Sequence, residues 1–314
     1  MLVTMWESLM TTWRMTAAAC AATLAGALLG AAAGAQQNFD DVVIEETDLG
    51  GGVYMLTGSG GNIGLSIGED GAVMVDDQYA PLADKIAAKV DELGGGEVRF
   101  VLNTHYHGDH AGGNAPFAEA GATIFAHDNV RTRMSTPQVS PVGGGETPAS
   151  PEVAWPVVTF PETVSFHMNG QTIHAIHTPP AHTDGDVSVY FEEANILHTG
   201  DMFIRGGFPL IDLNAGGSLG GFIAAQTMMI DMIDDDTTVI PGHGGLGARS
   251  DMIATRDALQ GFSDVLTPLA EADLSIEDIL ASRPLDGRDE GFTGGFITAE
   301  GFITNAITAM RDGR

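Results

Sequence analysis

The amino-acid sequence predicts an α/β protein built as a four-layer sandwich, with two mixed sheets face to face and helices outside. Three observations support this. Short β-rich runs divided by Gly-rich turns begin just after residue 41. A helix between two strands follows. The second half then repeats the succession of several strands and helices. A sheet must bury its apolar face against another layer, and two such halves do so by stacking their sheets and covering the outside with helices.

Residues 42–46, 52–56, 62–67 and 72–76 read as an antiparallel meander, broken by Gly58-Ser59-Gly60-Gly61 and Glu69-Asp70-Gly71. Residues 81–93 have the apolar spacing of an amphipathic helix, with Pro81 in the first turn, and 98–103 form a buried strand running into His105. A helix near 114–120, a strand at 123–126 and a helix around 128–133 complete the first half. Residues 135–156 are rich in Pro, Gly, Ser and Thr without periodicity, which predicts a surface loop, either a mobile flap or an insertion. The second half offers strands at 163–168, 172–177, 187–191 and 196–199, a helix at 218–233 and a strand at 238–240. Helices at 256–271 and 299–311 end it.

Of the 314 residues, 44% are apolar, enough for one large core, and a single domain is expected from residue 36 with a helical region from about residue 246. Residues 1–35 read as a signal peptide. The apolar run 16–29 is short for a membrane span, follows Arg14 and ends in Ala33-Gly34-Ala35, a small-x-small cleavage pattern. Cleavage before Gln36 would leave a periplasmic or secreted protein with no stable membrane association; a retained anchor is the alternative. Cys20 is the sole cysteine and lies in that leader, so the mature chain would have neither a disulfide nor a thiolate ligand. Lys and Arg number 13 against 42 Asp and Glu, a net charge of −29. Such a surface repels phosphate backbones, which argues against nucleic acid as a partner. The expected partner is a small-molecule substrate, and the expected state a monomer.

The segment Asn103-Thr104-His105-Tyr106-His107-Gly108-Asp109-His110 places four potential metal ligands within six residues, directly after a buried strand. A tight loop of this composition can turn His105 and His107 toward one cation while Asp109 and His110 face a second. Three more candidates follow strands in turns rich in Gly or Pro: His182, Asp201 and His243. Asp201 alone would be an ordinary turn aspartate, and it gains its meaning from the set. The remaining histidines, 127, 167, 174, 177 and 198, read as surface or supporting residues, with His198 the leading supporting candidate because it lies three residues before Asp201.

The series His-x-His-x-Asp-His, His182, Thr-Gly-Asp201 and Gly-His243-Gly resembles, in order and spacing, the ligand series of the metallo-β-lactamase superfamily, across most of residues 62–245. The resemblance implies the αβ/βα sandwich of that family. It also implies two zinc ions: one on His105, His107 and His182, one on Asp109, His110 and His243, with Asp201 bridging. A metal-bridged hydroxide would attack an acyl C–O or C–N bond, as in a lactone, thioester, ester or β-lactam, with Asp109 orienting it or passing its proton on. By the same resemblance, Gly60-Gly61-Asn62 would be a flap over the site. The bland reading of that segment is a plain turn.

Candidate substrate contacts are Arg205, as a grip for a carboxylate, Asn214, as a carbonyl donor, and Phe203, Phe208 and Trp155, as pocket walls, with core packing the default for the aromatics. Asp201 stands where lactamases with a Cys ligand carry that Cys, which moves the pattern toward general hydrolases such as glyoxalase II and lactonases. Export points the other way, toward a class B β-lactamase acting in antibiotic degradation. An iron-dependent oxidoreductase similar to persulfide dioxygenases is the reading from another class, and a non-catalytic binding module is disfavoured because all seven ligands are present.

Overall fold

The structure, a computed structural model, describes residues 38–314, so the leader assigned to residues 1–35 lies outside the described residues. Residues 41–314 fall in one compact unit. Four strands, β1 (Glu45–Gly50), β2 (Val53–Thr57), β3 (Ile63–Ser66) and β4 (Ala72–Val75), form the expected antiparallel meander. After α1 (Ala83–Glu92) the chain enters β5 (Val98–Leu102), which lies parallel to β4. Two short helices, α2 (Gly108–Ala111) and α3 (Asn114–Glu119), precede β6 (Thr123–His127), and α4 (Asp128–Met134) follows it.

The irregular stretch 135–156 holds a small hairpin, β7 (Gln138–Val139) with β8 (Glu146–Thr147). Beyond it, β9 (Val158–Phe160) adds to the far edge of the first sheet, parallel to β6. The second sheet runs β10 (Thr163–Met168), β11 (Gln171–His177), β12 (Val187–Phe191), β13 (Ile196–His198), β14 (Thr238–Ile240) and β15 (Gly247–Ala248). Helix α5 (Leu219–Met232) lies between β13 and β14 in sequence, and α6 (Arg249–Glu271), α7 (Ile276–Ala281) and α8 (Ala299–Arg311) end the chain.

The sheets meet across one apolar layer in which Val53, Val75, Leu102 and Phe160 of the first pack with Ile173, Val189, Phe191 and Ile240 of the second. Strand alternation does the sorting: Val73 and Val75 point into this layer, while Met74 is buried on the opposite face. The outer face of the second sheet, including Leu197 and Val239, is covered by Phe222 and Met229 of α5, Met252 and Leu259 of α6, and Phe302 and Ile307 of α8. The four layers are therefore those the residue pattern predicts.

The departures lie where pattern is weakest. The first strand is displaced to Glu45–Gly50 from the expected 42–46, because it is an exposed edge strand of polar residues held by its pairing with β2. Helix α6 begins at Arg249, a turn and more before the expected residue 256, with Asp251 accepting the Ala248 N–H at its start (2.9 Å). Three short elements, β9, β15 and α7, had no periodic signal because each is too short to show one.

Phe222 is fully buried under α5, whereas Val157 is 70% exposed. Phe222→Ala is expected to cost about 3–5 kcal/mol of unfolding free energy, and Val157→Ala about 0.5 kcal/mol or less. Urea unfolding of the two variants checks the contrast; equal losses would contradict the assigned core.

Candidate metal centre

Strands β11, β13 and β14 run in one direction, since β11 and β13 are each antiparallel to β12 and β14 is parallel to β13. Their carboxyl ends therefore share one edge of the second sheet. The loops leaving those ends carry His182, Asp201 and His243, and the loop after β5 brings His105, His107, Asp109 and His110 to the same place. All seven candidate ligands are brought together. Three sets of donor atoms lie within 4.8 Å of one another: His105 with His107 and His182, His105 with His110 and Asp201, and Asp109 with His110 and His243. His107 Nδ1 is 2.7 Å from His182 Nε2, and His110 Nε2 is 3.1 Å from Asp201 Oδ1 and 3.3 Å from His243 Nε2.

Four of the five rings are fixed by the nitrogen that faces away from this cluster. His105 Nδ1 donates to Thr104 Oγ1 (3.0 Å), His107 Nε2 to Asp212 (3.0 Å), His110 Nδ1 to Asp76 (2.7 Å) and His182 Nδ1 to the Leu210 carbonyl (2.7 Å). Each bond holds its ring in place and leaves the other nitrogen aimed inward. Asp76 is itself fixed, accepting from the Thr104 N–H (2.7 Å) and Thr104 Oγ1 (2.8 Å) in a left-handed backbone conformation with φ of 64°. Asp212 also accepts from Tyr106 Oη (2.6 Å), and Asp186 from the His182 N–H (2.8 Å). The sequence reading missed Asp76, Asp186 and Asp212. Asp76 sits at the end of a strand beside a second acidic residue, which is a usable signal, but nothing local marks the other two.

Electrostatics divides the rings. Burial, reinforced by neighbouring rings, holds His105 well below the usual imidazole range and His182 down to about 4. Burial would do the same to His110 and His243, but Asp201 and Asp109 outweigh it, leaving His110 well above that range and His243 at about 9. Burial would raise the two carboxylates, yet facing His110 and His243 they fall, Asp109 to about 2 and Asp201 well below the carboxylate range. The inner His105 Nε2 is buried without a hydrogen-bond partner. Unsatisfied buried polar atoms are costly, and converging imidazole lone pairs beside ionised carboxylates are what a divalent cation satisfies. Nitrogen and oxygen donors without a thiolate suit zinc, and iron as well.

The segment Gly60-Gly61-Asn62, expected as a flap, is instead a strap beneath the centre. Gly61 N donates to Asp109 O (3.0 Å), Asn62 N to Gly242 O (2.8 Å), and Asn62 Nδ2 to the carbonyls of Pro241 and Gly244 (both 2.8 Å). His198 is buried and supports the centre as expected: it donates from Nε2 to Asn62 O (3.0 Å) and accepts the Gly200 N–H at Nδ1 (3.2 Å), tying the strap to the turn that carries Asp201. A Cβ on Gly61 would collide with the His110 ring, and one on Gly242 with the Asp201 carboxylate.

A cavity of about 570 Å3 opens over the centre, with His107, Asp109, His182, Asp201 and His243 in its floor. Of the candidate substrate contacts, Arg205 and Phe208 line it. Arg205, the candidate grip for a carboxylate, has its Nη1 engaged by Asp251 (2.7 Å) and Leu246 O (3.0 Å). Phe208 is 1% exposed, and its ring stacks on Phe302 at 4.9 Å. Phe203 is buried in the helical core and does not line the cavity. Asn214 turns its amide to Val139 O (3.4 Å), and Trp155 donates to Ser150 O (2.9 Å); neither lines the cavity.

Two consequences are measurable. Gly242→Ala is expected to lower bound zinc to less than half of wild type, read by elemental analysis of folded protein. Asp212→Ala, by freeing the His107 ring, is expected to weaken zinc binding about 10- to 100-fold in a competition titration with a chelator. Wild-type zinc affinity in the second variant would show that Asp212 does not orient His107.

Comparison with known proteins gives a consistent picture. The chain is 28% identical over 153 residues to the lactamase-like protein adaB of Aspergillus niger, covering 49% of this chain and 39% of that protein. It is 24% identical over 208 residues to the atrochrysone carboxyl ACP thioesterase of Aspergillus terreus, covering 65% of this chain and 52% of the relative. It thus spans about half or less of the length of these relatives. Among solved structures, the metallo-beta-lactamase FIM-1 of Pseudomonas aeruginosa in its mono-zinc form superposes with a TM-score of 0.56 at 21% identity, over 71% of this chain and 97% of that one, a likeness of fold. The sequence pattern of the metallo-beta-lactamase superfamily matches residues 56–243, more than half of the chain and every one of the seven converging side chains, and the chain belongs to that superfamily.

Proposed function

We propose that the protein is an exported dinuclear zinc hydrolase that cleaves an acyl bond of a small molecule, with a thioester, ester or lactone as its leading substrate class. The observation that carries this reading is the convergence of seven nitrogen and oxygen donors on one spot, with His105 Nε2 buried there without a hydrogen-bond partner. His105, His107 and His182 would hold one ion, and Asp109, His110 and His243 the other, with Asp201 between them. Bound there, such ions supply Lewis acidity toward a carbonyl oxygen and toward water.

The chain's own residues do the rest. Asp109 is the candidate proton carrier: its side chain is 27% exposed and lines the cavity floor, where a carboxylate can take a proton from water and pass it toward a leaving group. Asp76 and Asp212 orient His110 and His107. The thioesterase named among the relatives supports a C–S acyl bond, and the absence of a cysteine from residues 36–314 is consistent with a general hydrolase. β-Lactam hydrolysis is the second reading, favoured by the export signal read in residues 1–35.

The test is to measure zinc and iron in purified protein and to assay a simple lactone, a glutathione thioester and nitrocefin side by side. Zinc near two equivalents, with turnover of the thioester or lactone, is the expected result. His107→Ala is expected to lower bound metal and reduce turnover at least 1000-fold while keeping wild-type far-ultraviolet circular dichroism. Undiminished turnover by that variant would remove the basis of the proposal. Sequencing the amino terminus of the extracellular or periplasmic form checks export, with Gln36 expected first.

A further inference from the structure

The cavity over the metal centre combines acidic and imidazole side chains in its floor with apolar side chains around its mouth. Pro141 and Val142 of the β7–β8 loop, Ile204, Leu210, and Phe296 and Ile297 from the segment before α8 line it. Phe296 is 79% exposed and Val142 45%. An adjoining hollow of about 220 Å3 shares Ser140 and Pro141 with it and adds Val139. Thus two of the eight large, exposed apolar side chains among the described residues, Phe296 and Val142, line this cavity, and a third, Val139, lines the hollow beside it. Apolar surface concentrated beside a cavity of ligand size marks a binding surface for apolar matter.

The charges at the opening point the same way. Among the described residues lining the main cavity, Arg205 is the only Lys or Arg, and its Nη1 is taken by Asp251 and Leu246 O. Asp251 is held in turn by the Ala248 N–H (2.9 Å) at the start of α6, so the pair belongs to the helix cap. In the adjoining hollow, Arg133 is clamped by both oxygens of Asp184 (2.7 and 2.6 Å). A carboxylate carried by the remote part of a substrate would meet only arginines already paired with Asp251 and Asp184. It would also approach a chain of net charge −29, and a charge moved from water to such a rim without a partner is penalised.

We propose that this cavity selects substrates whose portion remote from the scissile carbonyl is uncharged and aliphatic, and rejects those bearing a carboxylate there. The inference rests on the hydrolase reading of the site and adds the class of substrate. Phe296 and Val142 are the specificity-determining residues. They cover the substrate chain, while the metal ligands act on the reacting end.

The experiment is a calorimetric titration of the zinc-loaded protein with two metal-binding probes, octanohydroxamic acid and the same eight-carbon hydroxamate ending in a carboxylate. The uncharged probe is expected to bind at least tenfold more tightly, and lengthening an uncharged probe from four to eight carbons to tighten binding about threefold per methylene. Phe296→Lys is expected to shrink the preference for the uncharged probe to less than threefold. Equal or tighter binding of the carboxylate probe to the wild-type protein overturns the proposal, as does failure of both probes to bind. The two levels separate cleanly. Probe preference without turnover of any acyl substrate overturns the hydrolase reading and leaves the selectivity standing, while turnover that ignores a terminal carboxylate overturns the selectivity alone.

Discussion

Five imidazole rings and two carboxylates crowded into one largely buried cluster repel, desolvate and compete with each other unless something holds each in place. In this protein the holding is done from behind. Thr104, Asp212, Asp76 and the Leu210 carbonyl take the outward N–H of four rings, so that the inward nitrogens have no freedom to turn toward one another's protons. Everything else about the site follows from that constraint. Glycine is needed at 61 and 242 because the rings and carboxylate occupy the space a Cβ would take. The left-handed backbone at Asp76 persists because its carboxylate is held by Thr104 and His110 together.

The sheets supply the frame for this. The apolar layer between them fixes the separation of β5 from β11, β13 and β14, and the ends of those strands deliver loops from both halves to one edge. The strap at Gly61 and Asn62 crosses beneath, joined by backbone hydrogen bonds to the loops of Asp109 and Gly242. His198 closes the circuit between strap and Asp201. Rigid strand ends with short, hydrogen-bonded turns are well suited to preorganising donors for a cation, since little rearrangement remains when it binds.

The outer part of the cavity follows a different rule. It is built from the β7–β8 loop and the segment before α8, elements that contribute little to the core and present apolar side chains to solvent. Division of labour between a fixed floor and a variable rim is the usual way one scaffold serves many substrates.

The sequence by itself determined the layers and singled out the seven candidate donors, because both rest on local signals: strand alternation and helical periodicity for the layers, and a dense His-x-His-x-Asp-His run followed by single residues in Gly- and Pro-bounded turns for the donors. Short edge elements such as β9 and α7 escaped because a few residues carry no period. Only the tertiary structure decided which groups stand behind the rings. Asp212 is 105 residues from the His107 it orients, and no local pattern joins them. It also decided that Arg205 pairs with Asp251, that Phe203 belongs to the core, and that Asn214 faces Val139. The reason is physical. A ligand run is written along the chain, whereas the partner that neutralises a cation or turns a ring is chosen by whatever the packing brings within about 3 Å of it.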